Sequence, residues 1–391
     1  MTSKKEIKVC SSPWVSLAIN VDKSFSLCCY TMSTIEIGNW NSISIKEAFN
    51  SNEMKEYRNS FLEGKRIEAC SGCYKSEDNK LQSKRDEFIE NYPLPLGNND
   101  FSYSKLKHLE IFLSNKCNFN CRTCGSIYSS SWNKDNIILG RDTHSYTPLT
   151  DSQLQELCEV SKHLSSIYIA GGEPLICKET YILLERFSKF NPNCQITINT
   201  NFSKLSLNDF NLIDLSRTLH SLSLNISIDG IADKGEYIRN GLCFKSFKKN
   251  LDTVSKTNIK VTFLVTISIF NIYDLEDIFH FILEEQPVED FEIVLNFVSE
   301  PCQQNIQILP EEIKSLIQAN LYALCMNYAS IPNYKKYIKS LIGVVEYLKR
   351  PSTDSNLNEF YEEVCQLDKI RKQSFKDCFP QYFLILSKYI R

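Results

Sequence analysis

Six short runs rich in β-branched and aromatic residues recur from about residue 106 onward: LEIFLS (109–114), SIYIAG (166–171), QITINT (195–200), SLNISID (223–229), VTFLVTISI (261–269) and FEIVLNFV (291–298). Their composition suits strands. Between them lie segments such as DSQLQELCEVSKHL and ETYILLERFSKF, whose apolar residues step by three and four, the period of a helix with one buried face. A strand followed by a helix, repeated along the chain, implies parallel βα units with right-handed crossovers. Such a series curls into a barrel or part of one, so the expected fold class is α/β with a partial (β/α)6 barrel.

In that architecture the working residues collect where strands end and loops begin. Cys117 falls just past the first run, GGEP (171–174) closes the second, Thr200-Asn201 the third and Asp229-Gly230 the fourth. The first of these loops, NKCNFNCRTCGSIYSS, sets Cys117, Cys121 and Cys124 at a C-x3-C-x2-C spacing. A structural zinc site takes four protein ligands, and no nearby His or Cys completes this set. A four-iron cluster is normally held by four thiolates, so three leave one iron open to a substrate or cofactor.

The rest of the composition narrows the setting. A formal charge of -3 gives no broad electrostatic case for nucleic acid or anionic lipid as partner. MTSKKEIKVCSSPW has no apolar core of signal-peptide length, and no uninterrupted apolar run of about 18 residues occurs, so the expectation is a cytoplasmic chain with no membrane partner. In a reducing compartment clustered cysteines are metal ligands or catalytic groups rather than disulfides. Of the 16 cysteines, Cys158, Cys177, Cys194, Cys243, Cys302, Cys325 and Cys365 are scattered and read as small hydrophobes. The five histidines show no ligand spacing, and there is no P-loop, no G-x-G-x-x-G and no internal repeat.

A second group lies upstream: Cys10 before a strand-like run, Cys28 and Cys29 beyond a turn at Asp22-Lys23, and Cys70 and Cys73 in GKRIEACSGCYKSE. One of the adjacent pair with the other three gives four thiolates, enough to close an iron–sulfur or a zinc site. Adjacent strand side chains face opposite ways, so only one of Cys28 and Cys29 is expected to reach the metal, with Cys28 the choice and Cys29 its rival. NYPLPLGNNDFSYS (91–104) reads as an extended linker, and the amphipathic segments after residue 300 as helices capping or flanking the strand series. The expected organisation is 1–100, 101–300 and 301–391: a cluster module, a catalytic core and a C-terminal helical region.

Three cysteines after a first strand, then Gly171-Gly172-Glu173 after the second, resemble the radical S-adenosylmethionine (SAM) superfamily over about residues 106–300, although the position before the third cysteine, often aromatic there, is Thr123. The upstream segment, with its IGNW run (37–40), the helix-like SIKEAFNSNEMKEYRNSFLEGK and C-x2-C-Y, resembles the SPASM or twitch modules that hold an auxiliary cluster, although such modules commonly follow the core. The resemblance implies a [4Fe–4S] cluster on Cys117, Cys121 and Cys124 whose open iron chelates SAM, and a second, auxiliary [4Fe–4S] cluster on Cys10, Cys28, Cys70 and Cys73. It also implies Gly171-Gly172-Glu173 as partners of the methionine amine, and Thr200, Asn201, Ser227, Asp229 and Arg239 as candidates for the ribose and carboxylate contacts; each of these five also reads as a turn or cap residue. LDKIRKQSFKDCFPQY (367–382) looks like the tail of twitch-type proteins, with Cys378 a displaced ligand, an active-site thiol or a buried side chain.

The implied activity is reductive cleavage of SAM to a 5′-deoxyadenosyl radical and hydrogen abstraction from a substrate, with an electron donor such as flavodoxin or ferredoxin. Peptide or protein modification, including that of ribosomally made peptides, is the leading expectation. Oxidation or epimerisation of a sugar or other small molecule is the alternative, and a zinc-binding, non-catalytic interaction protein the distant one.

Overall fold

The computed structural model describes residues 9–31, 35, 37–78, 83–94, 106–351 and 357–390. Most of the segment read as a linker, 95–104, and residues 32–34 and 36 before the IGNW run lie outside the described residues. The chain forms two compact units interleaved along the sequence: residues up to Asn115 with Tyr146–Ile198 and Leu207–Leu222 in the first, and Lys116–Ser145, Asn199–Ser206 and Ser223 onward in the second.

In the first unit the strands are β1 (Ser16–Ile19), β2 (Phe25–Ser26), β3 (His108–Phe112), β4 (Ser166–Ala170) and all but the last two residues of β5 (Gln195–Thr200), hydrogen-bonded in the order β5-β4-β3-β1-β2. β3, β4 and β5 pair in parallel, with Ile111 opposite Ile169 and Ile169 opposite Ile198. The strand-like run that follows Cys10 forms β1, which lies parallel to β3, Leu17 opposite Leu109 and Ile19 opposite Ile111, and β2 pairs antiparallel to it. All four β1 residues are buried, which is what a strand covered on both faces requires.

The helix expected over 44–65 is two helices, Ile45–Phe49 and Asn52–Leu62, because Ser44 caps the first and Ser51 caps the second. Ser44 with Glu47, Ser83 with Asp86 and Thr150 with Gln153 form reciprocal capping boxes that start the helices at Ile45, Lys84 and Asp151. Arg58 is fully buried: its Nε donates to the Pro13 carbonyl at 2.7 Å, a guanidinium nitrogen donates to the Phe49 carbonyl at 2.8 Å, and the group stacks over the Phe49 ring. Glu156 ties the IGNW segment to the helix Asp151–Ser161, accepting from Trp40 Nε1 and from the Ile45 N–H, each at 2.7 Å.

The second unit holds β8 (Leu222–Ser227), β9 (Lys260–Ile267) and β10 (Phe291–Phe297), parallel and in that order; the two-residue strands β6 (Ser206–Leu207) and β7 (Phe210–Asn211) precede them in the chain. β8 and β9 alternate buried and half-buried positions, the pattern of strands with one fully covered face. The C-terminal region is helical as expected, with Glu311–Ala329, Lys335–Leu348, Leu357–Arg371, Phe375–Cys378 and Pro380–Leu386. Its last part packs by aromatic contact, Phe270 against Phe360 at 5.0 Å and Tyr237 against Phe379 at 5.5 Å between ring centroids. The architecture is mixed α/β with parallel strands, and no helix among the described residues is long and apolar enough to cross a membrane.

Replacing Glu156 by Ala removes one acceptor from two donors, and hydrogen bonds to a charged group contribute about 1.5–3 kcal/mol each. Glu156→Ala should therefore destabilise the protein by at least about 2 kcal/mol in denaturant unfolding; a loss under about 0.5 kcal/mol, the surface-substitution range, would show that the Trp40 segment is held by something else.

Candidate active site

Cys117, Cys121 and Cys124 lie on one loop of the second unit, between β3 and the helix Trp132–Leu139. The loop is fixed by its own backbone and by short side chains. The Cys124 N–H donates to the Cys121 carbonyl at 3.1 Å, Ser131 Oγ to the Cys117 carbonyl at 2.7 Å and Trp132 Nε1 to the Cys121 carbonyl at 2.9 Å. The Asn120 N–H donates to the Asn240 carbonyl and the Arg122 N–H to the Ile238 carbonyl, so the segment after the helix Ala232–Ile238 runs alongside it. Gly241 makes that approach possible: at φ +109° it packs so closely that a Cβ would stand 2.8 Å from the Phe119 ring and 2.9 Å from the Asn118 carbonyl. Read from sequence alone, the NGL stretch is only a turn; its partner is more than a hundred residues away.

The three thiols interact electrostatically with one another. Burial pushes Cys121 up to about 11 and Cys124 up to about 12, with the neighbouring cysteines adding to the rise and Arg239 opposing it. A metal reverses that balance, since a coordinated thiol is deprotonated outright. Arg239 is buried and ion-paired to Asp229 at 2.6 Å, while its Nε is buried without a hydrogen-bond partner. Burial disfavours its charge, but Cys121, Asp229 and Cys117 outweigh that and hold the guanidinium above its ordinary range. Asp229 is used on both oxygens, accepting from the Thr266 N–H at 2.8 Å as well as from Arg239. Asn201 Nδ2 donates to Asn118 Oδ1 at 3.0 Å and lies 3.8 Å from Cys117 Sγ. Thr200 accepts from the Phe202 N–H at 2.9 Å, and Ser227 ends β8 half-buried. Cys378, in the helix Phe375–Cys378, is half-buried; burial, Asp233 and Asp368 push its thiol up.

In the first unit Gly171 sits at φ +124°, where a Cβ would come within 2.5 Å of the Ser114 carbonyl, and the Gly172 N–H donates to that same oxygen at 2.7 Å. Only glycine fits such a position. Glu173 is buried and accepts from the Leu175 N–H at 2.9 Å.

The upstream cysteines divide in the same unit. Cys10, Cys28, Cys70 and Cys73 all line one cavity of about 410 Å³, including its open mouth, together with Tyr30, Lys84 and Arg85. Cys29 turns away and donates to Glu110 Oε1 at 3.4 Å, while its N–H donates to Glu110 Oε2. The divergence does not come from a strand. β2 ends at Ser26, and Cys29 opens a 3-10 turn through Thr31, so the chain rotates between the two cysteines. Glu110 is a fully buried carboxylate on β3 that sequence reading passed over as an ordinary strand residue. Burial works against its charge, but His108, Lys84 and the Cys29 N–H outweigh burial and hold its carboxyl below the usual range. Burial pushes Cys10 up to about 12 and Cys70 up to about 11.

Both cysteine sets fit iron–sulfur clusters in donor chemistry: thiols gathered together, half-buried on the three-cysteine loop and buried in the upstream cavity, with Arg239 beside one set and Arg85 beside the other. Among the described residues no three His, Cys, Asp or Glu side chains close to the spacing that grips a single ion. A four-iron cluster is wider than one ion, so the thiols that hold it stand further apart.

Comparison with known proteins agrees with both regions. Residues 111–282 match the radical SAM superfamily and residues 10–74 match the SPASM iron–sulfur cluster-binding domain. The chain thus carries a radical SAM domain with a SPASM domain ahead of it, and these domains bring a SAM-binding [4Fe–4S] cluster and an auxiliary iron–sulfur cluster. It is similar to the GTP 3',8-cyclase of Rhizobium etli, 26% identical over 180 residues that span 44% of this chain and 47% of that protein. The Campylobacter lari GTP 3',8-cyclase is 25% identical over 154 residues, 38% of this chain and 41% of that one. The chain thus spans about half the length, or less, of these curated relatives. Among solved structures, native anSMEcpe with bound AdoMet and Kp18Cys peptide is similar with a TM-score of 0.42 at 16% identity, over 60% of this chain and 62% of that one. Streptococcus suis SuiB bound to precursor peptide SuiA gives 0.37 at 16%, over 78% and 68%. Likeness at that level says nothing of substrate.

Because Cys28 lines the cavity and Cys29 lies against Glu110, Cys28→Ala should lower the iron bound after anaerobic reconstitution while Cys29→Ala leaves it near the wild-type amount. Equal losses from the two single variants would contradict that division.

Proposed function

We propose that the chain is an enzyme that reductively cleaves SAM at a [4Fe–4S] cluster on Cys117, Cys121 and Cys124, and directs the resulting hydrogen abstraction to a peptide or protein substrate. The observation that carries the reading is the three-thiol loop with Arg239 and Asn201 turned on it. Bound at the open iron, SAM supplies a 5′-deoxyadenosyl radical once an electron arrives, from a donor such as flavodoxin or ferredoxin. The protein's part is to orient and to shield. Arg239 offers a buried guanidinium for the carboxylate of SAM, and Asp229 holds it at a fixed angle rather than meeting the ribose itself. Gly171, Gly172 and Glu173 present backbone for the methionine amine, and Thr200, Asn201 and Ser227 remain the candidates for its polar contacts. Cys10, Cys28, Cys70 and Cys73 supply four thiolates to the auxiliary cluster, which leaves no iron free and suits electron relay better than substrate binding.

Support for a peptide substrate is the SPASM match, since such auxiliary modules in the family often accompany peptide modification. The curated relatives favour a second reading, because their name describes cyclisation of a nucleotide, a small molecule. Deuterium carried from a labelled substrate into 5′-deoxyadenosine separates the two: transfer from peptides supports the first, and transfer confined to nucleotides or sugars overturns it.

Reconstituted protein should bind about eight irons, on three plus four thiolates for two four-iron clusters. Changing Cys117, Cys121 and Cys124 together to Ala should leave about four irons and abolish 5′-deoxyadenosine formation from SAM and dithionite; undiminished cleavage in that variant would end the radical SAM reading.

A further inference from the structure

Asn120, Cys121 and Arg122 are consecutive, and side chains from a six-residue stretch of the C-terminal region, 368–373, hold Arg122 directly and the other two through Asp135, Asn240 and Trp132. Ahead of Cys121, Asn120 Nδ2 donates to Asp135 Oδ2 at 2.6 Å, and that same oxygen accepts from Arg371 Nε at 3.0 Å and from a second Arg371 nitrogen at 2.8 Å. Gln373 reaches the Asn240 side chain at 3.3 Å, and Asn240 Nδ2 donates to Asn120 Oδ1 at 2.7 Å. At Cys121 itself the carbonyl accepts from Trp132 Nε1, and the Trp132 ring lies under the Arg371 guanidinium at 4.7 Å. Beyond it, the fully buried Arg122 donates to Asp368 at 2.5 Å and to Gln373 at 2.9 Å, and stacks on Tyr237 at 3.7 Å.

Within this grip Arg371 is unlike a structural ion pair in two respects. Its side chain is 3% exposed and the carboxylate it meets belongs to a side chain 7% exposed, yet its remaining nitrogen, Nη1, is buried with no hydrogen-bond partner. It also stacks on the Trp132 ring, whose indole N–H donates to the Cys121 carbonyl, so a buried cation stands one side chain away from the backbone of that cysteine. A buried guanidinium left partly unsatisfied is expensive unless an anion shares its surroundings.

We propose that Arg371 is a positioning residue for the three-cysteine loop: through Asp135 and Trp132 it fixes the backbone on either side of Cys121, and its charge offsets the negative charge gathered when a cluster is bound. The inference rests on the radical SAM reading of that loop. It also gives the LDKIRKQSF stretch a role at the site, and makes the C-terminal helix Leu357–Arg371 part of the catalytic apparatus rather than a cap.

The test is a redox titration of the SAM-responsive cluster in the full reconstituted chain, followed by electron paramagnetic resonance. Removing the cation in Arg371→Met should disfavour the reduced cluster by about tenfold, a fall of about 59 mV for one electron, whereas Arg371→Lys, which keeps the charge, should stay nearer the wild-type potential. Should Arg371→Met fail to fold, Asp135→Asn decides: it leaves the guanidinium without its carboxylate and should move the potential upward. A wild-type potential in either Arg371→Met or Asp135→Asn overturns the proposal. If that happens while the triple cysteine variant loses its irons, the radical SAM reading stands and only the role of Arg371 falls; if the triple variant keeps all its iron, the reading beneath it falls first.

Discussion

Three half-buried thiols on one eight-residue loop set like charges side by side once they ionise, and much of the second unit is arranged around that cost. Burial and mutual repulsion push Cys121 and Cys124 upward, and two guanidiniums, Arg239 and Arg371, oppose the rise at Cys121. Each cation is itself buried and held by one carboxylate, Asp229 or Asp135. The result is a pocket of partly satisfied positive charge beside three sulfurs, an arrangement that makes sense once iron and its sulfides occupy it.

The first unit solves a related problem by different means. Its four cavity cysteines come from three separate segments, and β1, which lies between Cys10 and Cys28 in the chain, joins β3 as a parallel neighbour. Glu110 on β3 then takes both the N–H and the thiol of Cys29, which turns Cys29 away as Cys28 enters the cavity. A residue on a strand of the core thereby selects between two adjacent cysteines of the upstream module.

Much of this was legible in the sequence, and what was not has a common cause. All six strand runs were found within a residue or two of their observed bounds, since period-2 alternation and β-branched composition are local signals. The spacing of Cys117, Cys121 and Cys124 and the doubled glycine at 171–172 were visible for the same reason. What escaped depends on partners far apart: Ser16 against His108, Arg122 with Asp368 across 246 residues, and Arg371 with Asp135 across 236. Gly241 looked like a turn because its constraint, the Phe119 ring, is supplied by another part of the chain. Asp229 and Arg239 were legible only as two candidate contacts to SAM, and the ion pair between them was not; a sequence shows two polar residues ten apart and not that one orients its neighbour.

The central claim is that one iron of the cluster on Cys117, Cys121 and Cys124 is open and receives SAM through its amine and carboxylate. Electron–nuclear double resonance on the reduced protein, mixed with SAM labelled with nitrogen-15 at the methionine amine and oxygen-17 at the carboxylate, tests this directly. The account predicts hyperfine coupling from both labels to the core cluster. A reduced cluster whose spectrum carries neither coupling at saturating SAM would contradict it.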